Sequence, residues 1–212
     1  MPTTGPFEEH TGRYEEWFET YEDAYHSEIK ALRRLLPDPG YGVEIGVGSG
    51  RFAAPLGITV GVDPAEEMLA RARSRDIEVV EGVAEALPFR AGAFDTALIV
   101  TTICFVDDIP ATLAEAGRIL GSDGTLVIGY IDRDSPVGRI YQEKKAANPF
   151  YREAAFVSTE QLLDELDDAG FTDREFVQTI YRWIDDIDEP EPVEEGYGDG
   201  SFVGIRAARP GQ

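Results

Sequence analysis

A chain of 212 residues, 42% of them apolar, is long enough for one domain with a few decorations and a buried core. No apolar run approaches the roughly 18 residues a membrane span needs. Forty-one acids against nineteen bases leave a net charge of −22, a field that repels nucleic acid and anionic membranes, so neither is an expected partner. The bases are nearly all arginine, with Lys30, Lys144 and Lys145 the only lysines. That acid-rich, lysine-poor balance is the halophilic pattern of proteins living in concentrated salt. A single cysteine, Cys104, excludes an internal disulfide and a multi-cysteine metal site, and no metal is expected. Residues 1–6 lack the basic and then apolar order of a signal peptide, which makes the cytoplasm the expected compartment.

In chain order, residues 7–36 are rich in glutamate and aromatics, and Tyr14, Trp17, Phe18, Tyr21 and Tyr25 recur at helical spacing. Pro37-Asp38-Pro39-Gly40 stops that helix. Residues 1–40 are therefore expected to form a helical lid ahead of a core at 41–212. Strands are predicted at 41–45, 58–62, 77–80, 94–100 and 125–131, with helices at 65–75 and 109–120. Strands alternating with helices imply a parallel sheet covered on both faces. Ser158 opens another helix, with Glu160 and Gln161 in its first turn, and Gly170 ends it. Two further strands, 171–183 and 201–208, flank an acidic loop at 185–200.

The densest signal is Val43-Glu44-Ile45-Gly46-Val47-Gly48-Ser49-Gly50, a strand ending in an acid and running into Gly-x-Gly-x-Gly. Glycines let the backbone turn sharply and approach a ligand with no Cβ in the way. Dinucleotide sites use Gly-x-Gly-x-x-Gly to place a pyrophosphate on a helix N-terminus. Here the third glycine comes one residue early, with Arg51 at the sixth position, which argues against a diphosphate ligand and a nicotinamide-dependent oxidoreductase. At the end of the next strand, Gly61-Val62-Asp63-Pro64 supplies a carboxylate 19 residues after Glu44. Such a carboxylate accepts both hydroxyls of a ribose, and Pro64 then opens a helix at a favourable position. A plain N-cap is the other role open to Asp63.

With these residues the chain resembles the class I S-adenosylmethionine-dependent methyltransferases, of the small-molecule type called methyltransferase domain 11. The resemblance runs over about residues 10–180. Glu81-Gly82-Val83-Ala84-Glu85-Ala86-Leu87-Pro88-Phe89 resembles the family's adenine-side turn, and Phe94-Asp95-Thr96-Ala97-Leu98-Ile99-Val100 its fourth strand. Glu115-Ala116-Gly117-Arg118-Ile119-Leu120 resembles the segment leading into its fifth. Residues 100–108 and 194–206 further resemble a small prokaryotic subgroup loosely likened to histamine N-methyltransferases. The resemblance implies a Rossmann-like sheet of seven strands, the last antiparallel, and S-adenosyl-L-methionine as cofactor. It implies that Glu44 orients the loop and helps hold the methionine amino group, past which Gly46, Gly48 and Gly50 run. Asp63 takes the ribose, Met68 packs on the adenine and Ala84 offers it a backbone N–H. The family usually has Asp where this chain has Val83, so Glu85 or a backbone carbonyl must serve the adenine amino group.

Methyl transfer from a sulfonium is an in-line displacement, so the protein's main task is alignment in a site closed to water. The implied acceptor is a small molecule with an N or O nucleophile; a sensor that binds the donor without turnover is the alternative. Tyr14 and Trp17, in Arg13-Tyr14-Glu15-Glu16-Trp17-Phe18, resemble an aromatic patch that covers the methyl donor, where aromatic faces attract a sulfonium. His10 and His26 are the side chains whose ordinary pKa lies near neutrality; His10 and Tyr14 are candidates for proton transfer, and solvated surface histidines are the plainer reading. After the fourth strand, Thr101 is expected at the cofactor and Phe105 in the acceptor pocket, with Cys104 a small buried filler. Residues 141–151 read as an inserted lid. Tyr130, Asp132, Tyr141 and Tyr197 are candidate acceptor contacts, Asp132 and Asp134 being suited to a cationic amine unless they cap a turn.

Overall fold

The computed structural model describes residues 5–38 and 40–209. The reading of residues 1–4 as free of a leader, and the part of the helix stop that falls on Pro39, lie outside the described residues. The expected N-terminal helix is three helices, α1 (Gly5–Glu9), α2 (Thr11–Thr20) and α3 (Glu22–Leu35). The breaks fall at His10 (φ −123°, ψ 27°) and Tyr21 (φ −115°, ψ 46°), whose backbones leave the helical region and redirect the axis.

The strands follow as β1 (Gly42–Ile45), β2 (Val60–Asp63), β3 (Glu78–Glu81), β4 (Phe94–Val100), β5 (Leu120–Ile131), β6 (Thr172–Thr179), β7 (Glu194–Glu195) and β8 (Phe202–Ala208). Between them lie α4 (Ala53–Leu56), α5 (Glu66–Arg73), α6 (Ile109–Ile119), α7 (Pro136–Lys144) and α8 (Thr159–Asp168). They form one sheet in the order β3-β2-β1-β4-β5-β8-β6-β7. The first five strands are parallel, and β8 inserts antiparallel between β5 and β6. This is the expected Rossmann-like doubly wound sheet with eight strands in place of seven. The eighth, β7, is two glutamates of the acidic loop paired with Val177 and Gln178 of β6; such a segment carries no strand signal of its own.

Alternation along the central strands explains why both faces are covered. In β4, Ala97 and Ile99 face one core with Leu113, Ala116 and Ile119 of α6 and Leu162 and Leu166 of α8. Leu98 and Val100 face the other, with Leu32 and Leu35 of α3 and Leu69 and Ala72 of α5. Side chains cap the starts of α6, α7 and α8: Asp108 accepts from the Ala111 amide, Ser135 from Gly138 and, as the sequence implies, Ser158 from Gln161. The acidic loop is an ordered strap across α3. Ser27 Oγ accepts the Glu191 amide at 2.8 Å, and Arg34 holds Glu195 at 2.6 Å.

Candidate functional site

The strand order reverses between β1 and β4, and open α/β sheets bind ligands beyond the strand carboxyl ends at such a point. A cavity of about 430 Å³ opens there, bounded below by the sheet and above by α1–α3, α7 and the start of the strap. Its strand-end half is made largely of main chain. The amides of Gly46 and Val47 donate to Val62 O at 2.8 and 3.0 Å, tying the bend after β1 to β2. Gly46 has φ +74°, and a Cβ there would lie 2.3 Å from the Thr102 side chain, so only glycine lets the loops after β1 and β4 meet. Gly48 donates its N–H to Asp63 Oδ2 at 2.8 Å, and Ala65 donates to Oδ1 at 2.9 Å. Each carboxylate oxygen keeps capacity for another donor. Burial raises the Asp63 carboxyl above its ordinary pKa even though these amides oppose the shift.

Beneath the bend, Glu44 is 1% exposed and its Oε2 is buried with no hydrogen-bond partner. Burial pushes its carboxyl well above the ordinary range, against the amide of Ala53. A carboxyl in that condition is suited to meeting a positive donor. Thr101, at the end of β4, holds φ +50°, a left-handed conformation costly for a β-branched residue and of the kind that collects at binding sites. Glu15 Oε2 accepts from Arg51 Nε at 2.9 Å and Arg75 Nη2 at 2.6 Å, and Arg75 Nη1 donates to Ser49 O at 2.8 Å. Burial pushes Glu15 upward, but the Ser49 hydroxyl and the two arginines together hold its carboxyl below the ordinary range. This half-buried clamp fixes α2 over the glycine bend.

The other half is walled by aromatic side chains from distant segments. Trp17 and Tyr21 face the cavity from α2 and the α2–α3 corner, Tyr141 from α7, and Tyr151 and Trp183 from the loops beyond. Tyr141 stands 5.7 Å from Tyr151 and 5.1 Å from Trp183, ring centre to ring centre. Among them lies Glu28, a residue the sequence reading missed. It occupies the buried stripe of α3, one turn from Ala24 and one from Leu32, is 7% exposed and lines the cavity. Its carboxylate makes no hydrogen bond or ion pair with another described residue, and burial lifts its carboxyl from an ordinary 4.5 to about 8. The sequence signal was an acid at a core position of an amphipathic helix. Tyr14 joins the halves: burial, then the charges of Glu44, Asp63, Glu15 and Glu28, push its phenol upward. It therefore stays protonated at neutral pH and serves as a donor, not a base.

Of the expected cofactor contacts, Gly46, Gly48, Asp63, Pro64 and Met68 border the strand-end half. So do Val83, Ala84, Glu85 and Thr101, and Tyr14 and Trp17 lie above. Glu85 is already engaged, its Oε1 accepting the Asp107 amide at 2.7 Å, so it ties the β3–β4 turn to the loop after β4. Glu44 supports the bend from beneath without lining the cavity, and Gly50 packs away from it: a Cβ there would lie 2.5 Å from Ile77. Phe105 and Tyr141 line the aromatic half. Four candidates lie elsewhere. Tyr130 points into the core beneath the sheet and donates to Thr159 Oγ1 at 2.6 Å. Asp132 is consumed by Thr159 Oγ1 at 2.8 Å and the Asp134 amide at 3.0 Å, the turn-capping role. Tyr197 sits on the surface, 3.3 Å from Glu160, and His10 is an exposed residue at the start of α2 beside Phe150. Cys104 is buried, its thiol pushed up to about 12 by burial, and is no nucleophile at neutral pH.

A family model described as a methyltransferase domain matches residues 43–128, from β1 into β5. Over 203 residues the chain is 43% identical to an uncharacterized protein of Methanocaldococcus jannaschii, covering 96% of this chain and 98% of that one. An uncharacterized protein of Mycobacterium tuberculosis is 37% identical over 81% of this chain, which spans 61% of the mycobacterial protein's length. Among solved structures, a SAM-dependent methyltransferase of Thermotoga maritima, described as a possible histamine N-methyltransferase, superposes with a TM-score of 0.94. Its identity is 48%, with 97% of this chain and 99% of that one covered.

Proposed function

The chain belongs to the S-adenosylmethionine-dependent methyltransferases, and from that premise we propose that it methylates a small molecule at nitrogen or oxygen, with the donor in the strand-end half and the acceptor in the aromatic half. When bound, S-adenosylmethionine supplies a methyl group activated by a sulfonium. The residues present suit it. Asp63 accepts the ribose hydroxyls with the capacity its two amides leave free. The bare backbone of Gly46 and Gly48 passes the amino-acid portion, and Glu44, with its orphaned Oε2, answers that portion's ammonium through the bend. Pro64 and Met68 give the adenine an apolar face, opposite Val83 and Ala84. Tyr14 and Trp17 shut out water above the reacting centre, and the helices of residues 1–40 act as its lid.

The observation that carries this reading is the Gly48–Asp63 hydrogen bond of 2.8 Å, which locks a glycine bend and a ribose-binding carboxylate into one cradle. Calorimetric titration with S-adenosylhomocysteine tests it. Asp63→Ala should weaken binding by about 1.5–3 kcal/mol, the scale of hydrogen bonds to a charged group. Unchanged affinity in the variant, or tighter binding of NAD by the native chain, rejects it. A labelled-donor screen of amines, phenols and carboxylates separates an enzyme from a sensor, since a sensor binds the donor and labels none of them.

A further inference from the structure

The aromatic half has a chemistry of its own. Of the described residues lining the whole cavity, Glu16, Glu28, Asp63, Glu85 and Asp185 are acids and Arg13 is the only base. Glu28 is 7% exposed and makes no ion pair with another described residue. The phenols that line the cavity with it are Tyr14 from α2, Tyr141 from α7 and Tyr151 from the loop that follows, each raised first by burial and then by nearby acids, Glu28 among them; Tyr25 of α3 itself turns its hydroxyl to the Arg51 carbonyl. Nearby, Tyr21 donates its hydroxyl to Asp185 Oδ1 at 2.9 Å, and Lys144 Nζ lies 4.0 Å from the centre of the Trp183 ring. The hydroxyls of Tyr14, Tyr141 and Tyr151 make no side-chain hydrogen bond to another described residue. A lone carboxylate among electron-rich ring faces is complementary to a cation, attracted by charge and by the ring quadrupoles. An anionic or purely apolar acceptor would instead leave that carboxyl protonated and draw no attraction from it. The net charge of −22 draws cations toward the same opening.

Resting on the assignment of the strand-end half to the donor, we propose that the acceptor is an amine that enters as its ammonium ion, docks on the Glu28 carboxylate within the aromatic wall and surrenders a proton to it. The N–H bond breaks with its electron pair left on nitrogen, and an O–H bond forms on Glu28. The free pair then takes the donor's methyl group while the carbon–sulfur pair returns to sulfur, so the positive charge passes from sulfur to nitrogen. The product leaves as a methylated ammonium, and Glu28 returns its proton to solvent. Burial supports the exchange by raising the proton affinity of the carboxylate toward that of an amine, and general-base transfer works best between matched groups. Glu28 is then a catalytic residue, and the surrounding phenols position the ammonium.

Titration of the S-adenosylhomocysteine complex with 2-phenylethylamine, benzylamine and butylamine, each beside its neutral alcohol counterpart, tests the proposal by binding alone. The amines should bind more tightly than the alcohols, with an affinity that rises between about pH 6 and 8 as Glu28 gives up its own proton. In Glu28→Gln the amine affinity should fall by at least about tenfold, the pH dependence should flatten, and alcohol affinity should change less than twofold. S-adenosylhomocysteine binding within twofold of the native value shows that the variant is folded and its donor half intact. Equal amine binding by Glu28→Gln and the native chain, alcohols binding as tightly as amines, or no binding by any amine would overturn the proposal. Failure of S-adenosylhomocysteine to bind the native chain would instead strike the donor assignment, and the amine titrations on the free chain would still judge Glu28.

Discussion

In the strand-end half of the cavity the polar groups are largely committed to one another: Gly46 and Val47 to Val62, Gly48 and Ala65 to Asp63, Thr102 to Val100 and Gly46. In the aromatic half Glu28 and three phenols are left to whatever enters. The first half is main chain held by adjacent strands, and its shape is fixed by the sheet. The second is side chain, gathered from α2, α3, α7 and the strap, and its shape is fixed by packing. The difference teaches that the halves should respond differently to substitution: changes in the first strike the fold and the donor together, and changes in the second redirect binding while the fold survives.

Gly46→Ala gives the largest effect expected, because the new Cβ meets Thr102 at 2.3 Å with the backbone at φ +74°. A loss of more than about 4 kcal/mol in stability, or failure to fold, follows from clash plus left-handed strain; a soluble variant with native donor affinity would break the account of a rigid half. Glu28→Gln comes next, and here stability should increase. The native carboxyl ionises near 8 instead of 4.5, so between those values the folded state binds more protons than the unfolded, and native stability falls as pH rises. The variant's advantage should therefore grow from about pH 4.5 upward and level off above about pH 8, spanning up to about 5 kcal/mol. Denaturant melts across that range check it, and a pH-independent difference would show that Glu28 is not held neutral by burial. Glu15→Ala, which unclamps α2 from Arg51 and Arg75, should cost about 1–3 kcal/mol in stability and speed the release of S-adenosylhomocysteine in stopped-flow measurements. Tyr197→Phe removes one exposed hydrogen bond of 3.3 Å and should shift stability by no more than about 0.5 kcal/mol, with acceptor affinity unchanged.

The same division governs how much could be read from the sequence. The bend at Gly46 and Gly48 and the carboxylate of Asp63 were legible because glycine spacing and a strand-ending acid are local signals. Gly50 was read as part of that ligand loop, yet its missing side chain makes room for Ile77, a packing demand that no local motif distinguishes. Tyr130 and Asp132 follow the end of a predicted strand and so read as rim residues. The alternation that puts Leu126 and Ile128 in the core carries Tyr130 with them, and Asp132 is drawn off by the start of α8. Glu28 stayed hidden because a glutamate in a charged helix reads as a surface residue, although the stripe of Ala24, Ala31, Leu32 and Leu35 passes through its position. The two-residue strand β7 exists only because β6 offers an edge beside it. What the sequence withheld depends on contacts between segments far apart in the chain.

A crystal structure of the complex with S-adenosylhomocysteine would test the division of the cavity most directly. The account predicts ribose hydroxyls on Asp63, the amino-acid portion over Gly46 and Gly48, and the sulfur turned toward Tyr14 and Glu28. A nucleoside lying in the aromatic half, or a sulfur facing away from Glu28, would contradict it.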